Sequence, residues 1–247
     1  MPSLLQEEKS SRKQAYLSNL FEEIYFKDIV ERYEIHQTLL LSMITDDLCS
    51  SIGSLTNASK IARALSSSTG KKTDSETVSS YIKHLSDSFL FHEAKRYDVK
   101  GKRYFQYPSK FYCADIGLRN ARLNFRQQED SHIMENIIFN ELLIRDYQVD
   151  VGIVDASAKT AEGRWSHSNL EVDFVVNKGM ERYYIQCALI MDNEEKERQE
   201  KRPLLALPDN FKKIIITQSL RAPWIDEDGF LRIGLLDFLI DESILHR

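Results

Sequence analysis

The chain has 247 residues, 42% of them hydrophobic, with nine Gly and five Pro; this excludes a low-complexity or disordered chain and suits one large domain or two small ones. Its net charge of −5 is not that of a strongly basic nucleic-acid-binding domain. No uninterrupted apolar run approaches the ~18 residues of a membrane span, and the N-terminus lacks the apolar segment of a signal peptide. Cys49, Cys113 and Cys187 are widely spaced and form no CxxC pair. Reduced thiols in a cytoplasmic protein are therefore expected, with no membrane partner, zinc site or disulfide framework.

The polar opening, residues 1–12, is expected to fray. Residues 14–33 carry Leu17, Leu20, Phe21, Ile24, Phe26, Ile29 and Val30 at mostly three- and four-residue spacing, which predicts an amphipathic helix or two short ones. Residues 1–35 read either as a helix packed on its own domain or as the tail of a missing upstream module.

Residues 36–112 hold 11 Lys+Arg against 7 Asp+Glu, a basic segment in an acidic chain and a pointer to a polyanion. HQTLLLSMITDDL predicts a helix. A second, ASKIARALSS, is capped by Asn57 or Thr56. A third runs from about Ser75 to Phe89 with Val78, Tyr81, Ile82, Leu85 and Phe89 on one stripe. Two β-like runs follow, joined by Lys100-Gly101-Lys102, the mark of a hairpin. Three helices and a basic hairpin predict a winged helix-turn-helix over residues 36–115.

From about Met134 the pattern becomes α-β-β-β(-β)-α-β. MENIIFNELLIRD is a helix; YQVDVGIVDA, RWSHS, LEVDFVV and RYYIQCALI are strands. A charged helix ends near Pro208, KKIIIT is a buried strand, and LLDFLIDESIL is a final helix. The order predicts a three-layer α/β domain with a mixed sheet over residues 116–247, and an α+β chain overall. Trp165 and Trp224 read as packing residues, His132 and His167 as surface or loop histidines.

Several chemistries can be excluded from spacing. Gly70-Lys71-Lys72-Thr73 echoes the end of a Walker A loop, but its first glycine would fall on Leu65 inside a helix, and no strand leads into it. Neither a Gly-x-Ser-x-Gly elbow nor a recognisable pairing of His with Cys or Ser is present. Two candidates remain. Lys95, Arg96, Lys100, Lys102 and Arg103 on the expected wing, with Lys71 and Lys72 before the third helix, suit phosphate contacts, while Lys83 and His84 would face base edges; the alternative is a protein–protein module with a solvated basic hairpin. The second candidate is LEVDFVVNKGMERYYIQCALI, residues 170–190. A four-residue turn, 177–180, would pair Asp173 with Tyr184 and put Asp173, Gln186 and Ala188 on one face. Glu135 would approach that face. With help from the Cys187 carbonyl, Glu135, Asp173 and Gln186 would then form a Mg²⁺ or Mn²⁺ site of low negative charge. The lysine that would assist an attacking water is replaced by Ala188, with Lys196, Lys201 or Lys178 as nearby substitutes.

Taken in order, YFKDIVERYEI, SLTNASKIARAL…TVSSYIKHLSDSFLF, FYCADIGLRNA, MENIIFNELLIRDYQVDVG, LEVDFVV…YYIQCAL and QEKRPLLALPDNFKKIIIT resemble the C-terminal half of a broad family of prokaryotic AAA-type ATPases. The resemblance implies a P-loop ATPase module first, then a winged helix, then a domain of unknown function similar to the PD-(D/E)xK nucleases. Such proteins often carry glutamine and a small residue where an active nuclease has acid and lysine, as Gln186 and Ala188 do. Glu135-Asn136 and Glu171-Val172-Asp173 match the most recognisable positions, whereas the arginine expected before Glu200 is Gln199. Without a Walker A loop, ATP hydrolysis does not carry over; the chain is then either a fragment or a stand-alone C-terminal half.

The expected function is a non-catalytic region that binds DNA or a partner protein, the upstream ATPase module included. The alternatives are a divergent Mg²⁺- or Mn²⁺-dependent nuclease using Glu135, Asp173 and Gln186, and an interaction scaffold without nucleic acid. No cofactor is expected unless the nuclease reading holds.

Overall fold

The computed structural model describes residues 4, 6–127, 129–159 and 165–246, with side chains except at 24, 157–159 and 165–167. Residues 1–3 and 5 of the polar opening, 160–164, which include Arg164 at the start of the expected RWSHS strand, and the Trp165 and His167 side chains lie outside that set. The chain forms two compact units, Met1–Glu93 with Phe111–Glu129 and Ala94–Lys110 with Asp130–Arg247. These bounds differ from the expected division at 35 and 115, because each unit is built from two stretches of chain.

The first unit begins with α1 (Ser10–Asn19), a π-helical segment (Leu20–Phe26) and α2 (Lys27–Arg32). Leu17, Phe21 and Ile29 are buried. Arg122 donates to Glu22 at 2.7 Å and to Asp46 at 2.6 Å, so the opening helices are packed on this unit. Next come α3 (Thr38–Ser50), α4 (Ala58–Thr69) and α5 (Ser75–Asp87). The Asn57 side chain caps α4 by accepting from the Lys60 N–H at 2.8 Å, as its sequence position predicts. Gly70 closes α4 at φ +68°, a left-handed position that costs glycine little. Asp74 caps α5 through the Thr77 N–H. Val78, Ile82 and Leu85 are buried as expected, but Phe89 lies past the helix end and is 74% exposed.

β1 (Phe91–Ala94) pairs with β4 (Lys110–Cys113) in a two-stranded sheet, and α6 (Ile116–Arg122), which the periodicity did not reveal, follows. Between β1 and β4 lie β2 (Arg96–Asp98) and β3 (Arg103–Tyr104). They are not a free wing. Strand β2 pairs in parallel with β5 of the second unit, Arg96 opposite Val151, and β3 is the sheet edge. Alternation marks a strand but does not say which sheet takes it.

The second unit contains α7 (Asp130–Ile144), β5 (Gln148–Lys159), β6 (Trp165–Lys178), β7 (Glu181–Ala188), α8 (Glu194–Leu205), β8 (Lys212–Thr217), β9 (Trp224–Ile225), β10 (Leu231–Gly234) and α9 (Leu235–Ile240). Among the described residues the sheet has eight strands in the order β3-β2-β5-β6-β7-β8-β10-β9. It is mixed: β2/β5, β7/β8 and β8/β10 are parallel, the other pairs antiparallel. Phe174 on one face meets Phe139 of α7, ring centroids 5.9 Å apart. On the other face Val172, Val175, Tyr184 and Ile215 pack with Leu204 of α8. Helices on both faces give the expected three layers.

Val172 and Val175 share a face because β6 carries one extra residue: Asp150 pairs with Val175, but Gly152 pairs with Val172. Such a bulge breaks the strict alternation of a strand. Gly152 makes room for it, since a Cβ there would lie 2.8 Å from Val175 Cγ2 and 2.9 Å from Val172 Cβ. Gly152→Ala is therefore expected to destabilise the second unit by ~1–3 kcal/mol through overpacking, read as a lower urea midpoint at unchanged m-value.

Candidate functional site

The bulge governs where the expected site residues go. The β6–β7 turn is two residues long, with Lys178 opposite Glu181 and Gly179 at φ +61°, so Val176 faces Tyr183 instead of Glu181. That two-residue slip alone would preserve the expected faces. The bulge does not. Gln186 follows Tyr184 onto the α8 face, where its amide donates to Glu200 at 3.1 Å. Asp173, in the bulge next to Phe174, turns its carboxyl to the α7 side, towards Glu135 and Lys110. The expected common face of Asp173, Gln186 and Ala188 is thus divided, and only a long 3.4 Å bond, Asp173 N–H to Gln186 Oε1, joins the first two.

At the centre of the polar cluster stands a residue that sequence reasoning missed. The Lys110 ammonium lies 2.7 Å from Glu171, 2.9 Å from Glu135 and 3.9 Å from Asp173. Lys110 is 4% exposed. Burial by itself would lower its pKa, but Glu135, Asp173 and Glu171 outweigh that and hold it above its ordinary value. Asp173 is pushed well above the usual carboxylate range, by burial first and then by Glu135, with Lys110 opposing. Its Oδ2 accepts the Cys187 N–H at 2.7 Å, so Cys187 contributes its amide to the cluster through that bond. Burial also raises the Cys187 thiol, which is no nucleophile at neutral pH.

The donor set fits a divalent cation poorly. Glu135, Glu171 and Asp173 are arranged around an ammonium, one Asp173 oxygen is taken by a backbone amide, and Gln186 is on the other face. Among the described residues, no three His, Cys, Asp or Glu side chains converge as a ligand set.

The basic candidates are split between the units. Lys71, Lys72, Lys83 and His84 belong to the first; Lys95, Arg96, Lys100, Lys102 and Arg103 belong to the second. Lys83 is bonded to Asp87 at 2.6 Å, and His84 stacks on Tyr33 with centroids 4.0 Å apart. Arg103 reaches Asp98 at 3.2 Å, and the Arg96 guanidinium lies 4.9 Å over Phe105. Lys71, Lys72, Lys95, Lys100 and Lys102 are exposed and have no ion pair among the described residues. Lys71 and Lys72 line a cleft of about 480 Å³ with His36, Thr38, Thr73 and Asp74. No helix among the described residues is long and apolar enough to cross a membrane.

Two curated relatives match most of the chain. An uncharacterized protein of Haemophilus influenzae is 33% identical over 228 residues, 92% of this chain and 52% of its own length. Uncharacterized protein MJ1544 of Methanocaldococcus jannaschii is 26% identical over 229 residues, 91% and 47%. The chain thus spans about half the length of the curated relatives it matches. Among solved structures, protein VC1899 from Vibrio cholerae is 11% identical over 94% of this chain and 55% of its own, at a TM-score of 0.31, below the level of a shared fold. The model of a family described as a domain of unknown function, DUF8612, matches residues 1–129, and that stretch ends where the first unit ends. By that match the chain belongs to the DUF8612 family.

Proposed function

We propose that this chain is a non-catalytic DNA-binding region of a larger AAA-type ATPase, in which a winged helix-turn-helix reads DNA and a PD-(D/E)xK-like domain has lost the means to cut it. The observation that carries the reading is the Lys110 ammonium held between Glu135 and Glu171, beside Asp173. A nuclease needs oxygens open to a metal and a base open to water; here the ammonium fills the cluster, and Lys110, Glu135 and Asp173 are all buried. For DNA contact, α4, the Gly70–Asp74 connection and α5 have the order of a helix-turn-helix, with β1 and β4 after them. Lys71 and Lys72 stand at the connection with ammonium groups available to phosphates. The relatives' extra length accommodates an ATPase module.

Duplex DNA binding is expected to weaken as salt rises. Lys71→Ala/Lys72→Ala should flatten the slope of log K against log salt by about 2, since each phosphate contact contributes roughly 0.9. A slope unchanged by both this variant and alanine at Lys95, Lys100 and Lys102 would favour the protein scaffold.

The second reading, a nuclease, has one observation in its favour: three carboxylates and a lysine do meet, although the lysine is Lys110 and not residue 188. Incubation with single- and double-stranded DNA and RNA in Mg²⁺, Mn²⁺ or EDTA is expected to leave every substrate intact. Metal-dependent cleavage lost in Asp173→Asn would establish the nuclease instead.

A further inference from the structure

We propose that the crevice outside the carboxyl ends of β7, β8 and β10 binds a small organic carboxylate with an apolar body, held through Arg221. The three strands run parallel, and their pairing sets their last residues level: Thr217 lies opposite Ala188 on one side and Gly234 on the other. Loops leaving the carboxyl ends of parallel strands are where open α/β sheets hold ligands. Here such loops line a cavity of about 700 Å³, within the size range of small-molecule sites. It shares no residue with the Lys110 cluster or with the Lys71–Lys72 cleft, so the inference is independent of the DNA-binding reading.

The lining fixes the class of ligand. Leu189, Ile190, Met191 and Trp224 supply an apolar wall. Glu197, Asp226, Arg221 and Arg232 also line the cavity, and of these four charges only that of Arg221 is unanswered. Buried Arg232 donates to Asp226 at 2.8 Å, to Met191 Sδ at 3.0 Å and to Glu197. Lys201 holds the same two carboxylates, at 3.2 and 3.1 Å, and Asp228 at 2.7 Å. Arg221 is exposed, has no ion pair among the described residues, and lies 4.2 Å over the Trp224 ring. That stacking uses the face of the guanidinium and leaves its N–H edge free to fork onto a carboxylate. A phosphate would call for more donors, and three backbone amides of the loop are already spent. The Gln218 N–H donates to the Leu189 carbonyl at 3.1 Å, the Ser219 N–H to Thr217 Oγ1 at 3.3 Å, and the Arg221 N–H to Ser219 Oγ at 3.1 Å. The loop also lies close on the end of β10, since a Cβ at Gly234 would stand 2.4 Å from the Ser219 carbonyl oxygen. One free positive charge beside an apolar wall suits a monoanion whose body is buried.

Isothermal titration calorimetry of the full chain with naphthoate, its neutral amide and naphthyl phosphate tests this. Naphthoate is expected to bind saturably at one site, and the amide about ten- to a hundredfold more weakly, the usual worth of a hydrogen bond to a charged group. Arg221→Gln should bring naphthoate down to the affinity of the amide and leave the amide unchanged. Gln218→Trp, a bulky side chain introduced at an exposed position of the lining, should weaken both. Both substitutions lie at exposed positions, so the melting temperature is expected to stay put while binding falls. The comparison of naphthoate with its amide needs no variant at all. Equal affinity for naphthoate and the amide overturns the inference, as does full binding of naphthoate by Arg221→Gln or by Gln218→Trp. No saturable binding up to about 10 mM, or tighter binding of naphthyl phosphate than of naphthoate, overturns it too.

Discussion

Lys110→Met should lower the unfolding free energy of the second unit by about 3–5 kcal/mol at neutral pH, the usual cost of removing one partner of a buried ionic group. Methionine keeps most of the stem's volume, so the loss isolates the ammonium and not the packing. Glu135 and Asp173 are each 8% exposed; without Lys110 their charges face one another with little water between them. The pH dependence follows from the displaced groups. Asp173 is held above its unfolded value of about 3.9, so its ionisation erodes folded-state stability as pH rises from there. Removing the opposing ammonium pushes Asp173 higher still and steepens that erosion. The gap between the two proteins should therefore be small near pH 4 and widen towards pH 7 in urea titrations. Lys110 itself is raised above its unfolded value of about 10.4. Its favourable contribution is complete below that pH and is lost as pH rises through the folded value, so the gap should narrow again in strong alkali. A penalty that is flat from pH 4 to 9 would mean that the ammonium does not neutralise the carboxylates.

What could be read from the sequence was local. The cap Asn57 lies within a turn of the helix it bounds, and the stripe Val78–Ile82–Leu85 repeats at helical spacing, so α4 and α5 were legible. The α-β order from Met134 also gave the mixed, three-layer sheet. Three things were not legible. The Lys95–Tyr104 hairpin has strand-like alternation, but its parallel pairing with β5 is a contact over about fifty residues of sequence. The bulge in β6 depends on the missing side chain of Gly152, on a different strand; a single glycine among DVGIV gives no sign of which partner it accommodates. Lys110 reads as an ordinary surface lysine before FYC until the fold brings Glu135 and Glu171 to it. A lysine at the head of the otherwise apolar run Lys110–Cys113 was the one available hint.

The second large effect is expected at Phe174, the residue after Asp173. Phe174 is fully buried, pairs with Ile185 across β7 and packs its ring on Phe139 of α7. Phe174→Ala should cost ~3–5 kcal/mol, combining lost burial with the cavity left behind, and the aromatic pair accounts for roughly 0.5–1.5 of it. Both tryptophans, Trp165 and Trp224, fall within residues 130–247, so their fluorescence reports the unfolding of this unit. The substitution also separates two accounts of the polar cluster. Phe139 and Glu135 are one helical turn apart on α7 and face the sheet together. If the Phe139–Phe174 contact positions α7, Phe174→Ala lets Glu135 withdraw from Lys110, and a following Lys110→Met should then cost less than it does alone. If the ion cluster positions α7, the two losses add within about 0.5 kcal/mol. The rings meet without desolvation of charge, unlike the ion cluster, so the first outcome is expected: the hydrophobic contact sets the helix, and the helix brings the carboxylate to the lysine.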